Sequence, residues 1–172
     1  MRNPVQKFGT LFMTMTLLAA TSCAHAADLG GDLKEVGTER FTSSSYKRGD
    51  VVHVVLFRYE NDVSPAQKEE VKKRFLALQS RALRNGKPYI VSIVTGVSNS
   101  GEGVDQDYEQ GFVVRFKSEG DRNYYVGEPI VSDARFIDPA HQAFKDFVGP
   151  LLKKPVSPLG VLVFDFSAEE RR

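Results

Sequence analysis

Apolar residues fall in runs whose period changes along the chain, and each change marks an element. Residues 51–59 (VVHVVLFRY) are dense in β-branched and aromatic side chains, which predicts a strand apolar on both faces. Alternation puts His53 on the side of Val51, Val55, Phe57 and Tyr59. Ser64-Pro65-Ala66-Gln67 then offers an N-cap, a proline at the first helical position and a capping-box glutamine. Val71, Phe75, Leu78 and Ala82 follow at helical spacing, and Asn85-Gly86 is predicted to end that helix. Residues 89–97 and 110–117 read as two further strands around a polar loop at 98–107, and 120–126 as a short helix. Residues 127–137 show no clear pattern. Asp138-Pro139 repeats the capping device, and the helix behind it carries His141, Phe144, Phe147 and Val148 on one face until Gly149-Pro150. Residues 160–166 (GVLVFDF) make the last strand.

The order β-α-β-β-α-β predicts a ferredoxin-like α+β fold, an antiparallel sheet with helices on one face. The first strand is apolar on both faces, and so is the third, where Phe112, Val114 and Phe116 oppose Val113. Helices cover one face only, so the other calls for a partner, and a homodimer is expected. The folded part is expected at 50–166, followed by a charged tail at 167–172. Residues 27–49, rich in Gly, Ser and charge without a sustained period, read as a flexible linker or tail, with Phe41 or Tyr46 as edge contacts.

The first residues read as an address. Arg2 and Lys7 precede a thirteen-residue apolar stretch, Phe8 to Ala20, and Ala24-His25-Ala26 forms an A-x-A site. The stretch is too short to span a bilayer and suits a signal peptide over 1–26, so the mature chain is expected to be exported to the periplasm or medium. A rival reading makes Ala20-Thr21-Ser22-Cys23 a degenerate lipobox with Cys23 lipidated, the one route to a membrane anchor. Cleavage after Ala26 removes the only cysteine of the 172 residues, leaving no disulfide and no thiolate metal site. At 41% hydrophobic, 26% charged and a net charge of +1, the chain matches a soluble globular protein and lacks the basic surplus of a nucleic-acid binder.

Four segments carry a family resemblance: His53-Val54-Val55-Leu56-Phe57, Tyr108 to Val114 (YEQGFVV), Asp138 to Phe144 (DPAHQAF), and Pro150-Leu151-Leu152 followed by Val163-Phe164-Asp165-Phe166. In order and spacing they resemble the stress-responsive A/B barrel domain family (Dabb) over roughly residues 50–166. The resemblance implies a dimeric α/β barrel with a cavity between sheet and helices in each protomer. One branch of the family cyclises polyketides with a histidine at the place of His141, and a first-strand histidine, matching His53, lines the same cavity. This chain departs from that branch. Arg135 stands where the cyclase pattern has tyrosine, Gln110 where it has histidine, and about ten extra residues lie between Phe116 and Pro139.

His141 falls in the first turn of its helix, where the dipole and free N–H groups disfavour imidazolium, and a neutral imidazole facing a cavity is a candidate general base. His53, Tyr59, Tyr108, Gln110, Tyr124 and His141 are the expected ligand-binding residues, with no cofactor. Tyr124 and Tyr125 are candidates to replace the lost phenol. Asp105 to Glu109 alternates acids but departs from a calcium loop at positions six and twelve, so no metal site is expected. Three functions remain open: a dimer that binds a small apolar or aromatic molecule; a cofactor-free lyase, cyclase or monooxygenase-like enzyme with His141 as base; and a structural dimer with a filled core.

Overall fold

A computed structural model of the protein describes residues 24–168. The apolar stretch at 8–20, Cys23 and the last four residues lie outside the described residues. The chain begins with two helices, α1 (Ala24–Val36) and α2 (Thr38–Phe41). There follow β1 (Arg48–Phe57), α3 (Pro65–Arg81), a small hairpin of β2 (Leu83–Arg84) and β3 (Lys87–Pro88), β4 (Ser92–Val97), β5 (Gln110–Ser118), α4 (Glu119–Val126), α5 (Pro139–Val148) and β6 (Val161–Ser167).

The four long strands form one antiparallel sheet in the order β4-β5-β1-β6, the ferredoxin-like arrangement expected. β1 therefore lies between β5 and β6, and His53 sits opposite Val114 on one side and Asp165 on the other. Val51, Val55 and Phe57 of β1 and Phe112, Val114 and Phe116 of β5 face α3 and α5 and are buried. They meet Val71, Phe75, Leu78, Phe144 and Val148, with Phe75 stacked on Phe112 at 3.9 Å between ring centres. Both helix starts form as the sequence predicts. Ser64 accepts from the Gln67 amide in a full capping box, and Asp138 accepts from the amides of Ala140 and His141.

The opposite face of the sheet carries Val94, Leu162, Phe164 and Phe166, all exposed, with Phe164 at 61%. Among the described residues nothing covers it.

Three expectations need correction. Residues 27–49 are not a flexible linker or tail. Phe41, Tyr46 and Val131 are buried together, with Leu29, Leu33, Val36 and Ile137 against them, in a second small core. Gly30-Gly31 hides the helical spacing of Leu29, Leu33 and Val36, because glycine is a poor helix former. Asn85-Gly86 does not end α3 either. The helix stops at Arg81, and both residues take positive φ (50° and 75°) as the turn of the β2–β3 hairpin. The second strand also starts late, at Ser92, because Tyr89 turns away to donate its hydroxyl to Asp138 at 2.6 Å.

Candidate functional site

The two histidines are held from different elements and meet around one ring. His53, 3% exposed, points from β1 toward the helices, with its Nδ1 2.6 Å from an oxygen of Asp165 on β6. A carboxylate can only accept, so Nδ1 carries the proton. The second Asp165 oxygen accepts from Arg122 of α4 at 2.6 Å. Burial pushes the Asp165 carboxyl up, but the hydrogen bonds and charges of His53 and Arg122 outweigh it and leave it below its ordinary value.

His141, 8% exposed, projects from the first turn of α5 and donates from Nδ1 to the Tyr125 carbonyl at 2.6 Å. Burial pushes its pKa down to about 3, with the charges of Lys145 and His53 acting in the same direction and the carbonyl opposing them. The ring is neutral at physiological pH, and burial is the main cause. Among the described residues, neither histidine's Nε2 has a hydrogen-bond partner.

The side chain between them is Tyr125. Its ring stacks on His141 at 3.7 Å and 15°, meets His53 edge-on at 5.6 Å, and leans on Phe116 at 5.1 Å. It has no exposed surface, and its hydroxyl has no hydrogen-bond partner among the described residues. Burial, reinforced by the Asp138 charge, holds that hydroxyl protonated, well above its ordinary pKa. The phenol of this segment therefore does reach the histidines, and it comes from Tyr125. Tyr124 turns to the other side of α4, where its ring meets Tyr89 at 5.6 Å and the Arg84 guanidinium at 4.3 Å. Arg135 stays outside, exposed and paired with Asp133 at 2.6 Å.

Tyr59, Tyr108 and Gln110 gather elsewhere. They line a cleft of about 730 Å³ at the far end of the sheet, with Arg58, Lys68 and Glu109. Six strand positions put Tyr59 about 20 Å along the chain from His53. Tyr59 donates its hydroxyl to Gln110 at 2.5 Å, and Lys68 pairs with Glu109. The cleft is open and polar. The expected six-residue site is thus three places: His53 and His141 around Tyr125; Tyr59, Tyr108 and Gln110 at the open cleft; and Tyr124 apart from both beside Tyr89 and Arg84. Asp165 and Arg122, which orient His53, were not among the expected site residues. Asp165 carried a usable signal, an acid at a helix-facing position of an apolar strand. Arg122 carried none. No group of three or more histidine, cysteine or acidic residues able to hold a metal occurs among the described residues. No helix among them is long and apolar enough to cross a membrane.

An antiparallel ferredoxin-like sheet with one bare apolar face and paired histidines under its helices defines an α/β-barrel type of protomer. The chain belongs to the stress responsive A/B barrel domain family, which matches residues 51–168. Among solved structures it is similar to a protein from Arabidopsis thaliana, with 26% identity and a TM-score of 0.53 over 71% of this chain and 98% of that one. A hydroxynitrile lyase from Passiflora edulis shares the fold at 18% identity and a TM-score of 0.54, covering 73% of this chain and 98% of that one. So does a dimeric ferredoxin-like protein from Jannaschia, at 18% identity and a TM-score of 0.54, covering 70% and 100%. No curated protein matches the chain.

Proposed function

We propose that the protein is an exported homodimer that binds a small aromatic molecule between sheet and helices, in the space Tyr125 occupies. The observation that carries this reading is the Tyr125 ring itself, seated between two histidines with a buried hydroxyl that bonds to nothing described. A space meant only to be filled is served better by phenylalanine, since an unsatisfied buried hydroxyl costs about 1–3 kcal/mol. A buried hydroxyl without a described partner, set beside two histidines anchored through Nδ1, offers a polar group for a ligand in a largely apolar surrounding.

Binding is favoured over catalysis. An imidazole whose conjugate acid has a pKa of about 3 is a weak base at neutral pH, so His141 is poorly matched to proton abstraction. The bare apolar sheet face supports the homodimer, and relatives of this fold are described as dimeric. Export rests on the sequence of residues 1–26. Cleavage after Ala26 would leave Leu29, Leu33 and Val36 of the small core in place.

The test is titration of the protein with p-cresol, the tyrosine side chain as a free molecule, followed by calorimetry and by NMR of the Tyr125 and His141 ring signals. Saturable binding with both signals shifted supports the reading. No heat and no shift at millimolar p-cresol makes the protein a structural dimer with a filled core.

A further inference from the structure

The helix that carries Tyr125 is gripped from outside by the segment that precedes the sheet. At its start, the Glu119 amide donates to the Lys47 carbonyl at 3.1 Å and the Gly120 amide to Tyr46 at 3.2 Å. One turn on, the Asn123 side chain donates to the Phe41 carbonyl at 2.9 Å. Arg84 bridges the two pieces, donating to the carbonyls of Thr42 and Gly120. The backbones touch at Gly120, where a β-carbon would lie 1.8 Å from the Ser43 oxygen.

A line of alternating charges runs through the same contact. Lys47 sits 2.5 Å from Asp32 and 3.8 Å from Glu119, Arg122 lies 3.9 Å from Glu119, and Arg122 reaches Asp165, the partner of His53. The gripping residues precede position 51, outside the part of the chain that matches the family domain.

We propose that residues 29–47 form a clamp that keeps α4 down and Tyr125 seated between His53 and His141, so that access to that space is set by release of the clamp. The access half of this statement rests on the ligand reading above; the clamp half does not.

The clamp is tested in the full chain with Gly120→Ala, which cannot keep the Ser43 contact, and with Leu33→Ala, which loosens the small core without touching α4. The readout is the rate at which diethyl pyrocarbonate labels His141, resolved by peptide mass spectrometry, beside amide exchange of β1 and β5. Labelling should be slow in the unaltered protein and at least about tenfold faster in Gly120→Ala, with strand amides still protected. Leu33→Ala should move it in the same direction by less, and it decides the matter if Gly120→Ala does not fold. Unchanged His141 labelling in a folded variant overturns the clamp, and so does equal loss of protection in β1 and β5. If His141 becomes reactive and p-cresol still does not bind, the clamp stands and the ligand reading falls.

Discussion

Tyr125→Phe isolates one oxygen atom. The ring's contacts with His141, His53 and Phe116 are kept, and only a hydroxyl with no described partner is removed. Leaving a polar group buried and unsatisfied costs about 1–3 kcal/mol, so the substitution should stabilise the protein by at least about 1 kcal/mol. For a chain of this size each kcal/mol moves the melting point by roughly 2–4 °C, and a rise of that order is expected. Tyr125→Ala makes the contrast. It removes the whole ring and should cost about 3–5 kcal/mol while opening room for p-cresol. The assay is thermal unfolding at fixed protein concentration, since the melting point of a dimer depends on concentration. A fall in melting point for Tyr125→Phe would refute the reasoning. The hydroxyl would then be satisfied, and Tyr125 would be an ordinary core residue rather than a poor fit to its place.

The remaining predictions concern pH and assembly. His141 binds a proton more weakly folded than unfolded, so its contribution to stability is complete above about pH 6.5 and is lost as the pH falls toward 3, at close to 1.4 kcal/mol per pH unit. Urea titrations at pH 7 and 5 should therefore differ by about 2 kcal/mol, and His141→Gln should abolish most of that difference; an unchanged slope would mean the ring is solvated. Phe164→Asp on the bare sheet face should give a monomer by light scattering with little change in the protomer's circular dichroism, and a persistent dimer would move the interface elsewhere.

The strands and capped helices were legible because their signals are local. Ser64 and Asp138 announce their helices within four residues, and the β-branched run at 51–59 can hardly be anything but a strand. The face of each histidine was legible as well, from one alternation and one cap, while their nearness was implied only by the family resemblance. The neighbours of those histidines were harder to see. Asp165 reaches His53 across 112 positions of sequence, and Tyr125 is set against His141 by a segment with no periodicity of its own. The choice between Tyr124 and Tyr125 depends on the rotation of a two-turn helix, which the Gly120 contact fixes and composition does not. Tyr59 and Gln110 share the histidines' side of the sheet but lie toward its other end, a distance that alternation alone does not reveal.

The Phe41–Asn123 hydrogen bond spans 82 positions, and its place in the chain sets an order of assembly. Phe41, Tyr46 and Lys47 find partners in α4, more than seventy positions later. β1, likewise, lies between β5 and β6, both downstream of it. Such a chain has little to settle into until most of it has been synthesised, because closing long loops comes before any contact rewards it. Under the export proposed above, that delay is useful. The opening segment would then cross with no stable structure to unpick.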